Sequence, residues 1–220
     1  MLQESLLQFL YELSQNNNRD WFEKNKPRYQ KEVKKPFEAF VDAVIDELKT
    51  FEPDFNIQAK DCVFRIHRDT RFSKDKTPYK THLAAVFTQG GRKTMHQPGY
   101  YLHLEFGSLQ LGGGAYFMEK DALEKARTRI MADPKAFHAI LEDSEFKKRF
   151  GELKGEQNKI VPKPFKEAAK EEPLLLYKQF YFMNELDPQL VLKPDAPSLI
   201  GQYYRAALPF NRFFREAIGG

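Results

Sequence analysis

Between Arg65 and His82 the chain reads R-I-H-R-D-T-R-F-S-K-D-K-T-P-Y-K-T-H. Six cations, Arg65, Arg68, Arg71, Lys74, Lys76 and Lys80, stand against only Asp69 and Asp75. Arginine offers a planar fork to carboxylate or phosphate oxygens and lysine offers a point charge, so this composition suits the holding of an anion. In that reading Arg65, Arg68 and Arg71 grip the anion, while Lys76 and Lys80 add field. Asp69 orients an arginine or acts as a base, and Tyr79 donates a hydrogen bond. The competing reading is a solvated basic loop, or an ion-pair network that fixes a strand–loop junction, because structural networks mimic functional ones.

The charge is local. The whole chain carries a net +4. The six cations and two anions of this stretch already sum to +4, so the remainder is neutral. A general nucleic-acid binder spreads its cations over a face or along several elements. A focused patch points instead to a small anionic ligand, phosphorylated or carboxylated, and leaves nucleic acid as the alternative partner.

A second pair with chemical potential is His103 and Glu105, two apart and so on one face of a strand. Histidine beside a carboxylate can exchange protons or hold a metal; the plainer reading is a hydrogen-bonded histidine on a half-solvated sheet. The pair gains meaning if its face meets Arg65 and Asp69 on a neighbouring strand, and the closeness of the strands in sequence predicts that it does. Asp69, Glu105, His67 and His103 supply ligand types for a metal, but so many adjacent cations oppose one, and no metal site is assigned. Gly112, Gly113 and Gly114 suggest a bulge, or less plausibly an anion nest. Phosphate-loop, dinucleotide-binding, zinc-protease and nucleophile-elbow motifs are absent from the sequence. No cofactor follows, and the residues do not decide between an enzyme and a binding protein.

The elements that must position these groups follow from periodicity. Leu6, Phe9, Leu10 and Leu13 predict a helix over 3–14, and Asn18 caps a second beginning R-D-W-F, with Trp21 as its anchor. Pro27 is expected to limit that second helix or to start the next piece. From Pro36 onward, Phe37, Phe40, Val41, Val44, Ile45 and Leu48 mark a third. The pattern then alternates. C-V-F-R-I-H-R predicts a strand over 63–69, with Arg65, His67 and Asp69 on one face, Phe64 and Ile66 on the other, and Cys62 packed at its entrance. H-L-A-A-V-F-T, G-Y-Y-L-H-L-E-F and L-Q-L-G-G-G-A-Y-F predict three more, the last two joined at Gly107-Ser108. Helices are expected at 119–132 and around 134–150, a surface connection at 151–173, a strand in the second half of L-L-L-Y-K-Q-F-Y-F-M, and a terminal helix carrying Phe210, Phe213 and Phe214 after Pro209. The fold class is α+β: an antiparallel β-meander sheet flanked by N-terminal and C-terminal helices, in a single domain spanning 1–220.

Composition agrees with a globular chain. Its 220 residues are 41% hydrophobic and 30% charged, and 20 Phe with 10 Tyr supply a core despite a mean hydropathy of -0.64. The lone Cys62 excludes an internal disulfide and fits a reducing compartment. The N-terminus lacks the basic head and cleavage site of a secretory signal, and no apolar run reaches the ~20 residues of a membrane span. A cytoplasmic protein with no membrane association is the expectation; the oligomeric state is not assigned.

The basic stretch resembles the signature of the domain of unknown function numbered twenty-four sixty-one: R-x-x-R-D-x-R-F followed by D-K-x-x-Y. Arg65, Arg68, Asp69, Arg71, Phe72, Asp75, Lys76 and Tyr79 fill those slots. N-N-N-R-D-W-F near the start, G-Y-Y-L-H-L-E at 99–105 and the triple glycine at 112–114 are also similar, so the resemblance covers most of the chain. P-K-P-F at 162–165 departs from the expected P-K-G-F, and His67 sits at an open slot. The resemblance implies a shared site and no particular activity.

Overall fold

Leu6, Leu7, Phe9, Leu10 and Leu13 lie along one side of the first helix, α1 (Glu4–Gln15), and all are buried. The computed structural model in which they are seen describes residues 1–219. Asn18 caps α2 (Arg19–Arg28) by accepting from the Trp21 amide at 2.9 Å. Pro27 does not end the helical run. It removes one intrahelical bond, and the next turn widens to a π-helical stretch (Tyr29–Lys34) that keeps Tyr29 and Val33 on the buried side. The run continues into α3 (Lys35–Lys49), whose expected face of Phe37, Phe40, Val41, Val44, Ile45 and Leu48 is buried throughout.

After the short α4 (Ala59–Cys62) comes the sheet: β1 (His82–Phe87), β2 (Gly99–Glu105), β3 (Ser108–Ala115) and β4 (Phe180–Leu186), antiparallel in the order β1-β2-β3-β4. The β2–β3 turn is Phe106-Gly107, and Ser108 is already paired with Glu105. The triple glycine makes no bulge, because β3 pairs in unbroken register with β2 and β4. The glycines permit close approach. A Cβ at Gly112 would lie 2.6 Å from Met183 Sδ, and Gly114 has φ +110 with Phe180 O 2.4 Å from where its Cβ would be.

The segment 63–69 is not a strand of this sheet. It touches β1 and the chain leading into it at two isolated points, Val63 opposite Ala85 and His67 opposite Tyr79. Between them lie four steps on one side and six on the other, so the register slips by two residues and no continuous ladder forms. The predicted alternation fails with it: Ile66 enters the core, whereas Phe64 lines a surface cleft. Cys62 ends α4 rather than opening a strand, and burial first, then Asp61, pushes its thiol up to about 12.

The C-terminal half closes the other side of the core. α5 (Lys120–Ala132) is followed by two helices rather than one, α6 (Pro134–Leu141) and α7 (Ser144–Phe150), because Asp143 turns to cap the second through the Glu145 and Phe146 amides. The connection at 151–173 is more than surface: it buries Val161 and Phe165, carries a short α8 (Ala168–Glu171), and bridges to the start of β4 at Lys154–Tyr181. P-K-P-F forms a 3-10 turn there. α9 (Ala196–Ala206) and α10 (Leu208–Gly219) complete the chain. Phe210, Phe213 and Phe214 of α10 pack against Phe137, Phe180 and Phe182, each ring contributing ~1.5–3 kcal/mol over its exposed state. Buried Glu52 accepts from the Tyr100 hydroxyl at 2.8 Å and pairs with Arg215, tying α10 to the sheet. Among the described residues no helix is long and apolar enough to cross a membrane.

Candidate functional site

In an antiparallel sheet, residues directly opposite each other share a face. The inner face carries Leu83, Ala85, Phe87, Leu102 and Leu104 into the core. The outer face therefore carries His82, Ala84 and Val86 of β1 beside Glu105, His103 and Tyr101 of β2. On β3 it presents Gly112 and Gly114, and on β4 Met183 and Tyr181. Met183 covers Gly112, but Gly114 and its cross-strand partner Gly99 carry no side chain, and a cleft of about 470 Å³ lies over them. Phe64, Lys80 and His82 line one side of it, and Tyr116, Phe117 and Tyr181 line the other. From behind, the Tyr204 hydroxyl donates to the Tyr101 carbonyl at 2.9 Å and the Asn211 side-chain amide to that of Gly99 at 3.1 Å. The floor is thus held by α9 and α10.

Lys80 is the cation of this cleft. Its ammonium sits 5.1 Å from the Phe64 ring centroid and forms no ion pair among the described residues. Burial, then Arg65 and Arg92, lower its pKa. A half-buried ammonium whose neighbours are an aromatic ring and further cations is a group that an anion would stabilise. His82 stacks on His103 with ring centroids 4.2 Å apart. Burial first, then His103, Lys80 and Arg68, push His82 down to about 4, so at neutral pH it is an uncharged donor and acceptor.

His103 and Glu105 do share a face, with Nε2 and the carboxylate 3.8 Å apart, and the Tyr101 hydroxyl lies 3.3 Å from His103 Nδ1. Burial lowers the His103 pKa, against the opposing pull of Glu105. The neighbouring strand does not bring Arg65 and Asp69 to this pair, as sequence proximity suggested; it brings His82 and Ala84. The register slip at 63–69 is the reason.

Most of the cations expected to grip an anion are already engaged. Arg68 donates to the Asp75 carboxylate and to the Thr77 hydroxyl. Arg71 holds Asp69 in a fork, at 3.0 and 2.7 Å. Lys76 donates to the Thr70 carbonyl at 2.8 Å. These bonds lie within the loop 68–77 itself. The arginines hold the Asp69 and Asp75 carboxyls down to about 2. Arg65 is exposed and forms no ion pair among the described residues.

Tyr79 is not at the cleft. It is 4% exposed and stacks on Phe22 with centroids 4.0 Å apart, its phenol lying toward Glu23, Arg19 and Lys26 of α2. Its role is to anchor. Asn17 of the N-N-N motif donates to the Tyr79 carbonyl at 2.9 Å and accepts from the Tyr79 amide at 3.1 Å. Two separated motifs of the sequence are thereby one joint, and that joint fixes the backbone immediately before Lys80.

Sequence reasoning passed over His82, Tyr101, Phe64 and the aromatic wall of Tyr116, Phe117 and Tyr181. The alternation His82, Ala84, Val86 was legible, but the chain between β1 and β2 left their register open. Among the described residues no group of three or more His, Cys, Asp or Glu side chains is arranged to hold a metal ion.

The fold and site together define an α+β protein with a four-stranded antiparallel meander and a cleft, cationic on one side and aromatic on the other, on the sheet's outer face. The chain belongs to the family described as conserved hypothetical protein (DUF2461), which matches residues 5–213. No curated protein and no solved structure matches it.

Proposed function

We propose that this protein binds a small anionic ligand, phosphorylated or carboxylated, in the cleft on the outer face of the sheet. Lys80 is the principal counter-charge, Arg65 and Arg68 add field from outside the lining, and neutral His82 donates or accepts one hydrogen bond. The observation that carries the reading is Lys80: a half-buried ammonium lining the cleft with no carboxylate partner among the described residues. His103 and Glu105 stand beside the cleft and set the environment of His82.

For the loop 68–77 itself a structural role has its own support, in the closed set of pairs Arg68–Asp75, Arg71–Asp69 and Lys76–Thr70. Nucleic acid as the partner draws only on exposed Phe72 beside Arg71, and a gel shift at low salt without a complex would remove it.

The test is a thermal-shift series with inorganic phosphate, pyrophosphate, adenosine monophosphate and citrate. A ligand at a hundred times its Kd adds about 2.7 kcal/mol, which for a chain of this size raises the Tm by about 5–10 °C. Lys80→Met should abolish the shift and Arg71→Ala should retain it. No shift with any anion, or a shift that Lys80→Met leaves intact, overturns the proposal.

A further inference from the structure

The cleft has two chemically different halves. Lys80 and His82 form one. The other is a wall of three rings: Tyr116 and Phe117 are T-shaped at 4.8 Å, and Tyr116 meets Tyr181 at 5.1 Å. Tyr116 is 45% and Phe117 51% exposed, so rings that would ordinarily be covered stand at the edge of the hollow. The floor beside them is bare. Gly99 and Gly114 are cross-strand partners, and no side chain rises from either. Gly112, the remaining outer-face glycine of β3, is covered by the Met183 thioether, a soft and polarisable surface. A flat floor without Cβ atoms, bounded by aromatic rings and a thioether, accepts a planar ring face-down or edge-on. A simple oxyanion would leave that half of the cleft to water.

Resting on the anion reading above, we infer that the ligand is an aryl anion: a planar ring seated on the Gly99–Gly114 floor against Tyr181 and Tyr116, with its carboxylate or phosphate turned toward Lys80. The two halves are complementary to the two ends of such a molecule. Charge selects the head group and the Cβ-free floor selects the flat body, so the ring should contribute more discrimination than the anion alone.

Isothermal titration calorimetry with four probes tests this: 2-naphthyl phosphate, 2-naphthoate, inorganic phosphate and acetate. At least one naphthyl ligand is expected to bind about tenfold or more tighter than its bare counterpart, and which of the two does so names the head group. Tyr181→Ala should erase that advantage and leave binding of inorganic phosphate unchanged, whereas Tyr181→Phe should keep it. Lys80→Met should weaken all four. Equal affinity within both pairs, naphthyl phosphate with inorganic phosphate and naphthoate with acetate, would overturn the aryl inference and leave the anion reading standing. Binding of no probe by the intact protein would overturn both. Naphthyl ligands that bind Lys80→Met as well as the parent would show a purely apolar slot and also overturn the inference.

Discussion

The loop 68–77 and the cleft beside it invert each other. The loop is the most charged stretch of the chain, yet its cations are largely spent on partners within a few residues: Arg68 on Asp75 and Thr77, Arg71 on Asp69, Lys76 on the Thr70 carbonyl. The cleft holds far fewer charges, but Lys80 is half-buried there with no ion pair among the described residues, and His82 is held neutral. Density of charge along a sequence therefore does not measure charge available to a ligand. Availability depends on whether a partner sits within reach, and a loop that turns back on itself supplies partners that an extended strand cannot.

The largest test of this contrast strikes the joint between the two regions. Asn17→Ala removes both side-chain bonds to the Tyr79 backbone and should cost about 2–4 kcal/mol in denaturant unfolding, since two partly buried backbone groups lose their partners. If stability is unchanged, the loop and cleft are not held in place through that joint.

Acid should separate the two regions next. His82 lies at about 4, below its ordinary value of 6.5. Between those values the unfolded chain binds a proton that the folded chain refuses. The stabilisation from neutral His82 is therefore full above pH 6.5, declines as pH falls toward 4, and changes no further below that. The loss should be about 2 kcal/mol, the shift being discounted for solvent screening, and His82→Gln should flatten it. The loop responds in a lower window. Asp69 and Asp75 are held at about 2, below their ordinary 3.8, so their contribution is present above pH 3.8 and is lost as pH falls through 2. A stability profile with no slope between pH 6.5 and 4 would show that His82 is not confined as described.

The smallest effects lie within the loop. Arg68, with a side chain 26% exposed, should on replacement by alanine lower the Tm by about 2–4 °C, because Asp75 and Thr77 lose their common donor. Arg71, 77% exposed, should be silent to the same change. A larger loss at Arg71 than at Arg68, measured by thermal unfolding, would reverse the ranking of the two pairs.

Much of the fold was legible because it rests on short-range pattern. The buried faces of α1 and α3, the Asn18 cap, the strands β1 to β4, the meander order and the aromatic stripe of α10 all follow from periodicity and from turns that leave neighbouring strands little choice. Pro27 stands in the last turn of α2, and the π-turn that follows carries the run onward. The break at Asp143 was a capping residue read as helix interior. The site was legible only in part. His103 with Glu105 could be seen as a pair, and Lys80 as one cation among six, but nothing local distinguished Lys80 from Arg71.

By itself the sequence determined which residues are charged, which faces are apolar and most of the order in which helices and strands occur, because those properties depend on composition and on separations of two to four residues. Tertiary structure alone decided that His67 meets Tyr79 while Val63 meets Ala85, that His82 rather than Arg65 stands beside His103, and that two outer-face glycines hollow the sheet in front of Tyr181. Each of those is a contact between segments whose register is set by packing across the core, and a two-residue slip between such segments changes which side chains meet and leaves no mark on either stretch of sequence.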